Sequence, residues 1–128
     1  MRRDVYSGDL RLHGEEHKET LIDAYNYAND LVRLDRFEEA KALLRKTIPV
    51  ARRVLGEADD TTLRMRCLYA DALYKADVTL DDLREAATTL EEIERTARRV
   101  LGGAHPTTEI IGLNLQATRA ALRARETP

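Results

Sequence analysis

The chain has 128 residues, enough for one domain with a packed core and too few for two independent ones. Charged residues make up 34% of it, both signs are interspersed and the formal net charge is only -2, which excludes a broad basic surface for nucleic acid or a membrane. No apolar run is long enough for a membrane span or a signal peptide, and the single cysteine, Cys67, cannot form an internal disulfide, so we expect a cytoplasmic protein.

The sequence pattern predicts helices throughout the chain. Alanine, leucine, arginine and glutamate dominate, and no segment alternates apolar and polar residues between turns. A short N-terminal helix is predicted to end near Leu12, followed by helices over about 18–34, 36–55, 60–76, 80–101 and 106–125. Gly14, Gly56 and Gly102 mark helix ends, because the residue after a last helical turn commonly takes a left-handed conformation that suits glycine.

Several helix starts also have sequence signals. Asp59 is a good N-cap residue, and Pro106 suits a first helical turn, where a missing N–H is not needed. Two further pairs resemble capping boxes that would open the second helix of each helix pair: Asp35 with Glu38, and Thr79 with Asp82.

An internal repeat organises the predicted helices. The hexapeptide ARRVLG occurs at residues 51–56 and again at residues 97–102, and the segments LHGEEHKETL, LGEADDTTL and LGGAHPTTE align on Gly14, Gly56 and Gly102 at spacings of 42 and 46 residues. The alignment continues from YANDL to YADAL and from FEEAKALL to LREAATTL. Fixed periods of this size indicate stacked helical repeats.

Two apolar stripes at spacings of three and four residues are predicted to form the core. Their members are Phe37, Ala40, Leu44, Ile48, Ala51 and Leu55 in one helix, and Leu83, Ala86, Leu90, Ile93, Ala97 and Leu101 in the other. Pro49 interrupts the first of these helices, because it lacks a donor for the carbonyl four residues back. A kink is therefore predicted between Arg45 and Pro49.

The spacing of small and large apolar residues resembles a known repeat family. Tyr27-Ala28-x-x-Leu31 is followed by Ala40-x-x-x-Leu44, and the second copy repeats the pattern as Tyr69-Ala70-x-x-Leu73 and Ala86-x-x-x-Leu90. With the LGxxHPxT junction and the 42-residue period, this resembles the tetratricopeptide (TPR) repeat of the kinesin light chain variety.

The resemblance implies an all-α, TPR-like helical hairpin solenoid with two full helix pairs. A single domain over residues 1–128 would contain a repeat remnant (1–14), repeat one (15–56), repeat two (57–102) and a C-terminal capping helix (103–128). Gln116 and Arg119 stand where the family has a small and a large apolar residue, which suits a capping helix that no second helix covers.

The resemblance also implies a function. Such repeats line a concave groove with the first helix of each pair, so the chain is expected to be a non-catalytic scaffold that binds a peptide or protein segment of unknown identity. Asn26 and Asn114 match one asparagine of the pair that this family uses to hold a peptide backbone, and other residues replace its partner. The groove residues that the register predicts are Tyr25, Asn26, Asn29, Arg33, Arg64, Leu68, Asp71, Leu113 and Asn114, with Cys67, Lys75 and Ile110 on the same face.

A structural role is the alternative. The chain would then be a spacing or oligomerisation segment of a larger protein, with no ligand in the groove. Ile110, Ile111, Leu113 and Leu115 make the last helix apolar on more than one side, which favours some contact there, and self-association through the terminal helices is one such contact.

The sequence offers little for catalysis or metal binding. His13 and His17 flank a helix-ending glycine, so they are not expected to share a helical face or bind a metal. Cys67 has no histidine placed beside it, and no glycine-rich phosphate loop is present, so we expect no enzyme activity and no cofactor. The paired arginines of ARRVLG suit the negative ends of helices, and a phosphate or acidic-peptide contact is the less favoured alternative.

Overall fold

The structure, a computed structural model, describes residues 2–13, 18–75 and 79–126. Within these ranges it contains six α-helices and no strand, which confirms the all-α prediction. The helix ends lie within about one residue of those predicted. The helices are α1 (Arg2–His13), α2 (Lys18–Arg33), α3 (Phe37–Val54), α4 (Asp60–Lys75), α5 (Leu80–Val100) and α6 (Pro106–Glu126).

The helices pack in two layers. Each helix contacts the next one along the chain, and α4 also contacts α2 on one side and α6 on the other. Within the described ranges, α1, α3 and α5 have no comparable contacts with one another. The even-numbered helices therefore form one layer, and each odd-numbered helix packs against its chain neighbours.

Glycine ends two helices as predicted. Gly56 and Gly102 have φ angles of +95° and +92°, and their N–H groups donate to the carbonyls of Ala51 and Ala97 at 3.2 and 3.1 Å. These left-handed conformations satisfy carbonyls in the last turns of α3 and α5. The third predicted end, Gly14, lies outside the described residues.

Side chains cap the N-termini of α4 and α6, the helices that follow Gly56 and Gly102. Asp59 Oδ2 accepts a hydrogen bond from the Thr61 N–H at 2.9 Å at the start of α4, and His105 Nδ1 accepts from the Thr107 N–H at 3.1 Å at the start of α6. Both bonds satisfy first-turn donors that have no partner within the helix. Pro106 is the first residue of α6, as predicted.

Of the two predicted capping boxes, only the one before α5 is present. Thr79 and Asp82 form it reciprocally, with Asp82 N–H donating to Thr79 Oγ1 at 3.0 Å. The box predicted for Asp35 and Glu38 is wrong: α3 begins at Phe37 after Arg36, which makes no side-chain cap bond, and Asp35 has a φ of 59°. The connection between α2 and α3 is so short that Asp35 forms the left-handed turn ending α2, and Glu38 pairs with Lys41 at 2.8 Å instead.

The core consists of two clusters that share one residue. The first lies among α1 to α4 and includes Leu21, Leu31 and Leu44, and the second lies among α4 to α6 and includes Leu90 and Ile93. Both predicted stripes contribute to these clusters, with every member buried or partly buried. The partly buried Tyr69, on α4, packs against both clusters. α4 therefore connects the two halves of the molecule.

Helix α3 runs without a break through Pro49. The predicted kink between Arg45 and Pro49 stays a prediction. In the same turn, Thr47 Oγ1 donates to the Leu43 carbonyl at 2.9 Å.

No helix in the described ranges is long and apolar enough to cross a membrane.

The outward face of α6 differs from the corresponding face of α4. In register, Leu63, Ala70 and Leu73 of α4 correspond to Glu109, Gln116 and Arg119 of α6. The three α4 residues are buried in the second cluster, whereas the three α6 residues are exposed. Of the four apolar residues singled out on α6, Ile111 and Leu115 are buried, while Ile110 and Leu113 are 50% and 66% exposed.

Candidate functional site

A cavity of about 330 Å³ lies among the three even-numbered helices. We call it the α2–α4–α6 cavity. Its lining combines aromatic, apolar, amide and charged side chains, a mixture typical of binding sites. The lining residues are Tyr25, Asn29, Arg64, Cys67, Leu68, Asp71, Lys75, Thr107, Ile110, Ile111 and Asn114.

Arg64 is the centre of a polar network at one end of the cavity. Its Nε donates to Asp60 Oδ1 at 3.2 Å and to Thr107 Oγ1 at 3.0 Å, and the Thr107 hydroxyl donates to Asp60 Oδ1 at 2.5 Å. Arg64 and Asp60 lie one turn apart on α4, and Thr107 lies in the first turn of α6. The network therefore fixes the guanidinium and ties α4 to α6.

Tyr25 brings α2 into contact with this network. Burial raises the pKa of Tyr25 above its usual value of 10.0, and the positive charge and hydrogen bond of Arg64 oppose that shift. The phenol is therefore neutral at physiological pH and provides an O–H group beside a guanidinium.

Cys67 and Asn114 join α4 to α6 deeper in the cavity. Asn114 Nδ2 donates to Cys67 Sγ at 3.1 Å, and the thiol is buried. Burial raises the pKa of Cys67 to about 11, against the lowering effect of the Asn114 hydrogen bond. Because the thiolate is the nucleophilic form, the protonated thiol is unreactive at neutral pH.

The other end of the cavity contains a pair of opposite charges. Lys75 Nζ lies 3.2 Å from Asp71 Oδ2, one turn apart on α4. The Lys75 side chain is 49% exposed and the Asp71 side chain only 16%, so the ammonium is the more accessible member of the pair. An arriving carbonyl or carboxylate oxygen can bind this ammonium without displacing a buried group.

Most of the predicted groove residues lie together. Six of the nine line the cavity: Tyr25, Asn29, Arg64, Leu68, Asp71 and Asn114. Asn26, Arg33 and Leu113 do not line it. Arg33 is exposed at the end of α2, 3.9 Å from Asp30.

The positions of Asn26 and Leu113 follow from the neighbours of their helices. Asn26 corresponds in register to Leu68, and no even-numbered helix lies beside α2 on the side away from α4 within the described ranges. Leu113 corresponds to Cys67, which is buried where α6 approaches α4. Leu113 instead lines a separate cavity with Glu94 and Arg98. The register identified equivalent positions, but a cavity also needs a facing helix.

Thr107 and Ile111 also line the cavity and were not predicted to belong to it. Thr107 lies in the LGxxHPxT segment, so the alignment of the repeats identifies this segment but not the hydrogen bond between Thr107 and Arg64. That role depends on the approach of α4 and α6, whose bonded residues Arg64 and Thr107 are 43 positions apart. Within the described ranges, no group of three or more metal-ligating side chains could hold a metal ion.

Comparisons with protein families, curated proteins and solved structures found no significant match. Over residues 2–13, 18–75 and 79–126 the geometry defines the class of architecture: six α-helices, each in contact with the next, with a mixed polar and apolar cavity among alternate helices.

Proposed function

We propose that this chain is a non-catalytic interaction module of the TPR-like, kinesin-light-chain-like kind, acting in the cytoplasm. It binds an extended peptide or protein segment in the α2–α4–α6 cavity. The 42-residue period and the contacts of α4 with both α2 and α6 support a solenoid with these helices on the inner side. The polar outward face of α6 supports a capping role for that helix.

The observation behind this proposal is the composition of the cavity. Ile110 and Leu68 offer apolar contacts, Asn29 and Asn114 offer amide groups, and the guanidinium of Arg64 is already held in place. An amide both donates and accepts, which suits the alternating N–H and C=O groups of an extended backbone. Neighbouring helix axes lie about 8–10 Å apart, so three helices span about 20 Å, the length of roughly six extended residues.

A random-peptide library of six to eight residues selected on the immobilised protein tests this proposal, with affinities then measured by fluorescence polarisation. Asn29→Ala is expected to weaken a selected peptide about tenfold, because the amide would make two backbone hydrogen bonds. Asn26→Ala is the matched control on the same helix, outside the cavity, and should leave the affinity within about twofold.

A second pair of variants makes the same comparison on α6. Ile110→Glu places a charge in the cavity, and Leu113→Glu places the same charge at an exposed position outside it. Only Ile110→Glu should weaken binding. The proposal fails if no peptide is enriched, or if Asn26→Ala and Leu113→Glu weaken binding as much as their partners do.

The second candidate function is structural, with self-association through the terminal helices. The supporting observation is the exposure of Val5 on α1 and Leu113 on α6, at 53% and 66%. Sedimentation equilibrium tests it: a dimer that Leu113→Glu converts to a monomer would favour this role. A monomer at all concentrations would remove it.

A further inference from the structure

A second cavity, of about 240 Å³, lies among α3, α4 and α5 and differs in chemistry from the first. We call it the arginine pocket. It is lined by Arg45, Ile48, Pro49, Arg52, Arg66, Tyr69 and Thr89. It therefore combines three guanidinium groups with an apolar wall formed by isoleucine, proline and a tyrosine ring.

Arg45 is held by a tyrosine rather than by a carboxylate. Its Nε donates to the Tyr69 hydroxyl at 3.0 Å, and its Cζ lies 5.7 Å from the centroid of the Tyr69 ring. In the part of the chain that the structure describes, Arg45 makes no ion pair. The guanidinium is thus oriented by a neutral group, and the carboxylates of Glu38 and Glu85 act on its charge only from beyond ion-pair distance.

The other two arginines have partners that an incoming anion can displace. Arg52 pairs with Glu57, and Arg66 Nη2 lies 3.3 Å from Glu92 Oε2. The two glutamate side chains are 58% and 50% exposed, so these pairs are weak in water, whereas the Arg66 side chain is only 11% exposed. Moving an exposed glutamate into solvent costs little compared with two charge-assisted bonds to an anion.

We call the contact between α3 and α4 the first junction and the equivalent contact between α5 and α6 the second junction. The second junction shows that helix packing does not require the residues of the arginine pocket. In register, Arg45 corresponds to Glu91, Arg66 to Gly112 and Tyr69 to Leu115. α5 packs on α6 there as α3 packs on α4 in the first junction. At Gly112 a Cβ would lie 3.2 Å from the Glu94 carboxylate, so an acidic group occupies the place next to the Arg66 equivalent. Only Arg52 is retained, as Arg98.

We propose that the arginine pocket binds a phosphate monoester with a small apolar or aromatic substituent. At neutral pH the phosphate carries close to two negative charges and has three terminal oxygens, enough to accept bonds from several guanidinium groups. The substituent would contact Ile48, Pro49 and the ring of Tyr69. This site is formed by a different set of helices from the proposed peptide site and stands independently of it.

Titrations of the isotopically labelled protein, followed by amide chemical shifts in phosphate-free buffer of low ionic strength, test the proposal. The probes are phenyl phosphate, phenol and a short glycine peptide containing phosphotyrosine. Phenyl phosphate is expected to shift amides around Arg45 and Arg66, and phenol is not. Binding of both phosphate probes indicates a phosphorylated side chain as the natural source, and binding of phenyl phosphate alone indicates a small molecule.

Three variants assign the binding to the arginines. Arg52→Gln should weaken phenyl phosphate about tenfold through loss of a charge-assisted contact, and Arg98→Gln, its equivalent in the second junction, should change affinity by less than about twofold. Glu57→Gln should tighten binding about threefold, because it frees Arg52. Circular dichroism checks that each variant is folded. The proposal is overturned if phenol binds with the same affinity as phenyl phosphate, or if the Arg52→Gln and Arg98→Gln variants have the same affinity for phenyl phosphate.

Discussion

Among the described residues, the hydrogen-bond network of Arg64, Asp60 and Thr107 is found between α4 and α6 and is not repeated at equivalent positions. Arg64 corresponds in register to Ile22 in α2 and Ile110 in α6. Asp60 corresponds to Lys18 in α2 and Pro106 in α6, so neither Arg64 nor Asp60 has an equivalent in the neighbouring helices. Because the bonds to Asp60 and Thr107 already orient the guanidinium, less side-chain entropy is lost when a ligand binds it. At the residue scale, this preorganised donor distinguishes the cavity from a generic repeat surface.

The reactivity of Cys67 tests the chemistry of the same cavity. Its pKa of about 11 predicts slow alkylation by iodoacetamide at pH 7–8 and a rate that still rises above pH 9. Burial favours the neutral thiol in the folded state, so the associated stability is complete below the unfolded pKa of about 8.5 and is lost as the pH rises towards the folded value. Mass spectrometry of the alkylated protein measures the rate; a plateau near pH 8 would contradict the shift.

Substitution of glycine by alanine is expected to have opposite effects on stability at Gly56 and at Gly8. Gly56→Ala should lower the free energy of unfolding by about 1–2 kcal/mol, because φ is +95° although a Cβ would meet no atom within 4 Å. Gly8 lies inside α1, with nothing within 4 Å of a Cβ and no positive φ, so Gly8→Ala should raise it by about 0.5–1 kcal/mol. Urea denaturation measures both. Equal effects of the two substitutions would refute the conformational explanation.

At the scale of elements, helix ends were predictable where a single residue type satisfies one local requirement. Gly56, Gly102, Pro106 and the Thr79–Asp82 box all act within a few residues of chain. Asp35 was assigned the wrong role because aspartate suits both an N-cap and a left-handed turn. The short connection between α2 and α3 selects the turn, in which Asp35 has a φ of 59° and its N–H donates to the Val32 carbonyl at 3.0 Å.

The capping box before α5 should stabilise that helix measurably. Thr79→Ala removes the acceptor for the Asp82 N–H and should lower the free energy of unfolding by about 1 kcal/mol. Thr88→Ala, at an exposed position within α5, should be neutral or slightly stabilising, since alanine is the better helix former. Thermal unfolding followed by circular dichroism compares the two variants. A larger loss for Thr88→Ala would rule out the capping explanation.

At the scale of the molecule, α4 is the element on which both halves depend. It contributes to both core clusters, it contacts α2, α3, α5 and α6, and Tyr69 packs against both clusters. In repeat proteins, stability is the sum of units and the interfaces between them. Because each core is small, we expect neither to be stable without the other, and the shared helix couples them.

Unfolding is therefore expected to be a single cooperative transition. Leu44→Ala in the first cluster and Ile93→Ala in the second should each cost about 2–5 kcal/mol, since both side chains are fully buried. Hydrogen exchange followed by mass spectrometry should show faster exchange in all helices for either variant. Acceleration confined to the mutated half would show that the clusters unfold independently.

The sequence by itself determined the helices, most of their ends and the apolar stripes, because these follow from neighbours within one or two turns. The repeat also placed six of the nine predicted residues in one cavity, since equivalent positions on α2, α4 and α6 share a face. Leu113 shows where that reasoning stops: it has the register of Cys67 but lies outside the cavity.

Only the tertiary structure decided which side chains meet across helices. Thr107 reaches Arg64 and Asp60, and Arg45 reaches Tyr69, over 24 to 47 residues of sequence. Such contacts depend on the distance and angle between packed helices, which no local pattern specifies. For the same reason the sequence favours a role for Arg52 at the negative end of a helix over a phosphate or acidic-peptide contact, whereas the fold assembles Arg45, Arg52 and Arg66 into one pocket.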